Sequence, residues 1–384
     1  MNEWRAGMDA FGLTEERRAG GDLWGNVEPE VLEARRASPW LEDDAAWMQM
    51  KSETAFSWPK DAPFAVALSH DVDFFRRSGP WARPGRNLAL AFKAGQRKSV
   101  GFAWHLKRAL RNAGVLILGK DGFWGNCRPW MEVEEKHGFV STCFFSPGEV
   151  SWRKDFDCDL RMNDRVQVDG KSLSYADVIR EVRDRGGEVG LHGSYYAAES
   201  AEVLREQKLE MESVLGGAVE AYRNHFLHYV PGVTELLLND AGFALDSTLG
   251  YNRHVGYRTG FSFPHPLLHP LTEEPLACWE LPMSLMDVPL FSPSGLHLAE
   301  EAARQKVEAM LEQTRRTGGC LTVNWHPPGD ALSWKIYEYL LRRMQELGAW
   351  GTTCGNVVSH FRHSALGRRL EQSLTPTLAT NQNG

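Results

Sequence analysis

The run Phe64-Ala65-Val66-Ala67-Leu68-Ser69-His70-Asp71-Val72-Asp73 is an apolar strand that ends abruptly in a histidine and two aspartates. Apolar runs of this kind read as buried parallel strands, and α/β sheets carry their chemistry at the C-terminal ends of such strands. Two carboxylates one residue apart can divide the labour, one holding a metal ion and the other moving a proton.

Working outward from this strand, short apolar runs alternate with helical patterns from about residue 60 to 360, the signature of repeated βα units around a parallel sheet. Strands are predicted at 64–69, 139–145, 188–192, 219–223, 243–247, 278–283, 320–325 and 349–353. Amphipathic helices are predicted at 175–185, 201–215, 233–241, 300–316 and 334–347, where apolar residues such as Val307, Met310 and Leu311 recur at three- and four-residue spacing. Gly186-Gly187, Gly216-Gly217, Gly242, Gly318-Gly319 and Gly348 each stand just before a strand, where helix stops belong. The expected fold is α/β, a distorted (β/α) barrel of seven or eight parallel strands with an N-terminal extension, and a doubly wound sheet is the alternative. The expected division is residues 1–60 as an extension packed on the barrel through Trp24, Trp40 and Trp47, residues 61–363 as the barrel, and residues 364–384 as a flexible tail. A basic, partly helical insertion at 76–125 interrupts the first βα unit.

At 384 residues and 42% hydrophobic content the chain can bury a full core. Its net charge of -7 supplies no basic field for phosphate backbones, so nucleic acid is not an expected partner. Met1 to Gly20 is polar and lacks the apolar core of a signal peptide, and no stretch reaches the length of a transmembrane helix, so a cytoplasmic location is expected. The 6 cysteines form no C-x-x-C pair, which argues against a zinc ribbon or a disulfide framework. The 14 tryptophans suit either sugar-binding faces or core packing.

The ionisable residues at the predicted strand ends are Asp71 and Asp73, His192, Arg223 and His225, Asp246, and His326. In a barrel these ends converge on one mouth. A divalent ion such as zinc is held by three His and Asp ligands with an open position for water. Asp73 and His192 are the natural first two ligands, Asp71 a general base and His326 a general acid. No nucleophile elbow, phosphate-cradling glycine loop or dinucleotide fingerprint competes with metal-assisted hydrolysis of an amide or ester.

Over roughly residues 60–360 the chain resembles the polysaccharide deacetylases of the NodB-homology type, carbohydrate esterase family four. Ser69-His70-Asp71-Val72-Asp73 is similar to the family's first motif, and Leu191-His192-Gly193-Ser194-Tyr195-Tyr196 to its second. Tyr222-Arg223-Asn224-His225 resembles the third, whose arginine orients the base. Asp246-Ser247-Thr248-Leu249-Gly250-Tyr251 resembles the groove-lining fourth, and Val323-Asn324-Trp325-His326-Pro327 the last. The resemblance implies a bound divalent metal, usually zinc, and removal of N- or O-acetyl groups from an acetylated carbohydrate, and the absence of an export signal adds the expectation of a role in surface polysaccharide metabolism.

Two departures stand out. Val72 separates the paired aspartates, and Tyr196 stands where the family's second metal-binding histidine would be. A phenol with pKa near 10 is a poor zinc ligand at neutral pH. His225 is the first candidate for third ligand, because on a strand it would face the same way as Arg223, and His70 is the second. Asp246, Tyr196, Trp325 and Arg258 are the expected substrate contacts, and His265 and His269 receive no role. Two other readings stay open: hydrolysis of small cyclic amides or other non-peptide C–N bonds, and a degenerate barrel that binds glycan without cleaving it.

Overall fold

The structure, a computed structural model, describes residues 43–73, 128–147, 157–158, 160–168, 170–327 and 331–375. The insertion expected at 76–125, together with Trp24 and Trp40, lies outside the described residues. Among the described residues no helix is long and apolar enough to cross a membrane.

The sheet is built from β1 (Ala65–Val72), β2 (Thr142–Phe145), β5 (Glu188–Gly193), β6 (Ala221–Asn224), β7 (Leu245–Asp246), β8 (His265–Leu268), β9 (Pro275–Glu280), β10 (Leu285–Met286), β11 (Cys320–Asn324) and β12 (Trp350–Thr352). Its path runs β10-β11-β1-β2-β5-β6-β7-β9-β8. Every pairing in this sheet is parallel except β8 with β9, so the path from β10 to β9 is an α/β barrel wall of eight parallel strands, within the seven or eight expected, and among the described residues it ends in an antiparallel edge rather than closing. β12 pairs with Ala65 to Ala67 while β2 pairs with Ser69 to Val72, so two strands share one edge of β1. A small antiparallel hairpin, β3 (Arg165–Val168) and β4 (Lys171–Ser174), stands apart.

Helices α2 (Arg128–Lys136), α3 (Tyr175–Asp184), α4 (Ala201–Leu215), α5 (Thr234–Asp240), α6 (Asp287–Phe291), α7 (Glu300–Thr317) and α8 (Ala331–Glu346) connect the strands. Their starts follow the usual chemistry: Ser174 and Asp177 form a capping box on α3, and Ser200 caps α4. β1 is buried along its whole length, and its two faces pack differently. Val66 and Leu68 pack on the helices with Trp130, Val307, Leu311 and Tyr337, whereas the small Ala65 and Ala67 face the interior and leave room for Phe144 and Trp279. Gly190 on β5 belongs to the same accommodation, since a Cβ there would stand 2.6 Å from a Phe144 ring carbon.

The base of the barrel is sealed by both ends of the described chain. Helix α1 (Ala45–Glu53) is capped by Asp44 and sets Trp47 edge-on to Phe261 at 4.9 Å. Trp58 donates its indole N–H to the Gly318 carbonyl at 2.8 Å. After α9 (Cys354–Arg362) the chain does not fray at residue 364: α10 (Ala365–Leu374) is a helix capped by Ser364. Leu366, Leu370 and Leu374 recur every fourth residue and are buried with Trp47 and Phe361.

Candidate active site

The C-terminal ends of β1, β5, β6 and β11 bring Asp71, Asp73, His192, Arg223, His225 and His326 together. Arg223 lies at the floor, fully buried, its guanidinium 4.3 Å above the Phe144 ring. It donates to Asp71 Oδ1 at 2.9 Å, to Ser69 Oγ at 2.8 Å, and to both the carbonyl and the hydroxyl of Ser247 at 2.9 Å. Asn324 donates to Asp71 Oδ2 at 2.7 Å and accepts from the Asp71 backbone N–H at 3.1 Å. Asp71 is thus clamped on both oxygens. Burial alone would raise its pKa, but Arg223, with His192 and His326, outweighs that and holds the carboxyl below the usual range.

Above this floor Asp73, His192 and His225 form a group whose ligand-type atoms all lie within 4.8 Å of one another. Asp73 Oδ1 is 3.1 Å from His192 Nε2 and 3.7 Å from His225 Nε2. Edges of about 3.3 Å are what a tetrahedral site with bonds near 2.0 Å requires. Asp73 Oδ1 and His192 Nε2 are buried, yet neither has a properly aligned hydrogen-bond partner among the described residues. Each imidazole is oriented from behind: His192 Nδ1 donates to the Arg223 carbonyl at 2.9 Å, and His225 Nδ1 to the Asp157 carboxylate at 2.7 Å. That leaves both Nε2 atoms facing Asp73, the arrangement by which outer groups aim metal ligands. The residues therefore fit a divalent cation. Asp71 and Asp73 overcome the cost of burial and raise the pKa of His192.

His225 reaches this position by a different route from strand alternation. β6 ends at Asn224, and a tight turn follows, His225–Leu227, with Phe226 at φ 60° and Leu227 at φ 50°. Consecutive non-glycine residues in this left-handed region are uncommon and concentrate at functional sites. His70 is excluded as a ligand, because its ring faces the opposite side of β1 and contacts Glu134. Tyr196 lies half-buried in the turn Tyr195–Ala198, its ring edge-on to Tyr195 at 5.2 Å.

His326 faces the trio from β11. Its Nε2 is 3.9 Å from Asp71 Oδ2 and 3.8 Å from Asp73 Oδ2, too far for hydrogen bonds. Its Nδ1 donates to Asp287 Oδ1 at 2.6 Å. Burial would lower the His326 pKa, but Asp287 outweighs it, with Asp73 and Asp71 adding, and brings it to about 10.

Three expected substrate contacts lie elsewhere. Trp325 is fully buried, donates its indole N–H to Ser333 Oγ at 2.9 Å, and packs on Tyr337, so it offers no face to a substrate. Arg258 is buried as well, with a guanidinium N–H directed to the Gly250 carbonyl at 3.3 Å. Asp246 is fully buried, accepts from Thr248 and neighbours Glu280 across β7 and β9; burial raises the pKa of both acids. Sequence alone assigns no role to Asp157, Asp287, Asn324, Ser69 and Ser247. They only orient other side chains, a role that leaves no mark in spacing or periodicity.

No protein-family model matches the chain. No curated protein matches it either. Solved structures do. A "putative polysaccharide deacetylase" from Mycobacterium smegmatis is similar over 85% of this chain and 97% of its own, with a TM-score of 0.52 and 20% identity. The Puue allantoinase is similar over 80% of this chain and 93% of its own, with a TM-score of 0.52 and 12% identity. These likenesses establish a shared fold.

Proposed function

We propose that this protein is a metal-dependent hydrolase that removes acetyl groups from an N- or O-acetylated carbohydrate in surface polysaccharide metabolism. The observation that carries the reading is the convergence of Asp73, His192 and His225 beside a carboxylate and an imidazole that are each fixed from behind. A divalent cation such as zinc, held by that trio, would polarise the acyl oxygen and lower the pKa of a water.

The remaining steps belong to the chain. Asp71, ionised and clamped by Arg223 and Asn324, accepts a proton from the attacking water through a lone pair on Oδ2. The water oxygen bonds to the acyl carbon. His326, held protonated by Asp287, donates its Nε2 proton to the leaving nitrogen or oxygen as the bond to carbon breaks. Acetate and the free amine or hydroxyl leave. Preorganisation is the main contribution, since both reactive groups are already held by their hydrogen-bond partners.

Incubating the purified protein with acetylated saccharides and measuring acetate tests this reading. Native protein should release acetate, and Asp71→Asn should release at least about 100-fold less while retaining metal. Acetate release by the Asp71→Asn variant at the native rate would refute the assigned base. A second reading, turnover of a small cyclic amide, draws support from the allantoinase fold neighbour, whose TM-score of 0.52 equals that of the deacetylase. Cyclic amide turnover without acetate release would decide for it, and saccharide binding without any product would favour a glycan-binding barrel.

A further inference from the structure

His70 sits between Ser69 and Asp71 but points the other way, into the layer between the sheet and the helices, and it is fully buried. Its Nδ1 lies 2.7 Å from the Trp325 carbonyl and its Nε2 lies 2.7 Å from Glu134 Oε1 on α2. Glu134 also accepts from the Tyr337 hydroxyl on α8 and from Ser141 Oγ at 2.6 Å. A carbonyl and a carboxylate are both acceptors, so both ring nitrogens of His70 donate and the imidazole is a cation. The charge of Glu134 overcomes the cost of burying that cation and lifts its pKa to about 9.

The carbonyl that His70 holds belongs to the residue immediately before His326. The same residue's backbone N–H donates to the Ser69 carbonyl at 3.0 Å, and Asn324 binds Asp71 through its side chain. Past the end of the β1–β11 ladder, the peptide carrying the acid is therefore fastened to the strand carrying the base by bonds on both sides of Trp325. We infer that His70 is a positioning residue, which fixes the peptide before His326 against the strand of Asp71 and so sets the spacing of acid and base. A rigid ring with two donors suits this task, because it spans from a helix carboxylate to a backbone carbonyl without a flexible stem. The inference rests on the proposed hydrolase reading only for its catalytic consequence, not for its geometry.

Two substitutions separate positioning from support. In His70→Gln the side-chain amide can take the place of Nε2 toward Glu134 but leaves the Trp325 carbonyl; in Glu134→Gln the ring and its bond to Trp325 remain. Turnover of an acetylated chito-oligosaccharide, thermal stability, and the His326 Nδ1–H resonance in 15N-histidine-labelled protein are measured for each. His70→Gln should lower kcat by about 10–100-fold with KM little changed, and should shift the His326 resonance. Glu134→Gln should keep kcat within about threefold and keep the resonance, although it melts earlier. The inference fails if both variants lose kcat in step with their stability, or if His70→Gln leaves kcat and the resonance unmoved. If native protein turns over no acetylated saccharide, the hydrolase reading is what fails, and the resonance alone decides the positioning. Should His70→Gln not fold, His70→Asn, whose amide overlays Nδ1, should keep the resonance, and its loss there would overturn the inference.

Discussion

Replacing Arg223 by methionine removes four hydrogen bonds and the positive charge at the centre of the site while keeping most of the apolar stem over Phe144. Asp71 then stays buried without its guanidinium partner, with only two imidazoles 3.9 Å away. Breaking a buried ion pair from one side costs about 3–5 kcal/mol, and an unpaired Ser247 carbonyl adds about 1–3 kcal/mol. A total of about 6 kcal/mol follows. For 384 residues the entropy of unfolding is roughly 0.8 kcal/mol/K, so the melting temperature should fall by about 7 °C at pH 7.5. The pH dependence is the sharper part. In the native protein the lowered pKa of Asp71 contributes stability that is present above the unfolded-state value and lost as pH falls through the folded value. In Arg223→Met the sign reverses, because burial now raises that pKa, and protonation relieves the strain as pH falls. Calorimetry of both proteins between pH 8 and pH 5 should therefore show the deficit shrinking on acidification. A deficit of equal size at both ends would refute the assignment of the lost stability to Asp71.

Asp287→Asn takes away the charge that holds His326 near 10, so the alkaline limit of turnover should move down by about 1–3 pH units; an unchanged profile would exclude His326 as the acid that Asp287 tunes. The His70–Glu134 pair predicts a loss of stability in alkali. The His70 pKa is raised to about 9, so its contribution is complete below about pH 6.5 and is lost as pH rises through 9, up to about 3 kcal/mol, and melting curves should be flatter over this range in Glu134→Gln. Gly190→Ala should cost about 1–3 kcal/mol by driving a Cβ into Phe144 and tilting the ring beneath Arg223, and unchanged melting would show that Phe144 has room to yield.

The strands and helices with strong periodicity were legible because burial on one or both faces writes itself into residue spacing. β1, β11, α3, α4 and α7 all lie within two or three residues of the positions their sequences predict. The hairpin β3–β4 does not stand out in the sequence, since its strands carry few apolar residues, although Asp169-Gly170 is a two-residue turn signal. Helix α10 was hidden by its polar surface, yet Leu366, Leu370 and Leu374 marked its buried face. In the site the residues to which the proposed chemistry is assigned are visible as ionisable groups ending apolar runs. Those that orient them are not, because Asp157 and Asp287 matter only through where the fold brings them. Trp325 and Arg258 were assigned to substrate from their neighbours in sequence, but alternation and loop packing turn both inward. His225 shows the opposite case, a residue selected by strand alternation that arrives through a left-handed turn no period encodes.

The central claim is that Asp73, His192 and His225 together hold one divalent cation. Elemental analysis of native protein, His225→Ala and Tyr196→Phe, each purified identically without added metal, tests it most directly. The account predicts about one equivalent of zinc or a similar ion in the native protein and in Tyr196→Phe, and a fall of at least about tenfold in metal affinity in His225→Ala. Full metal content in His225→Ala with loss in Tyr196→Phe would contradict it.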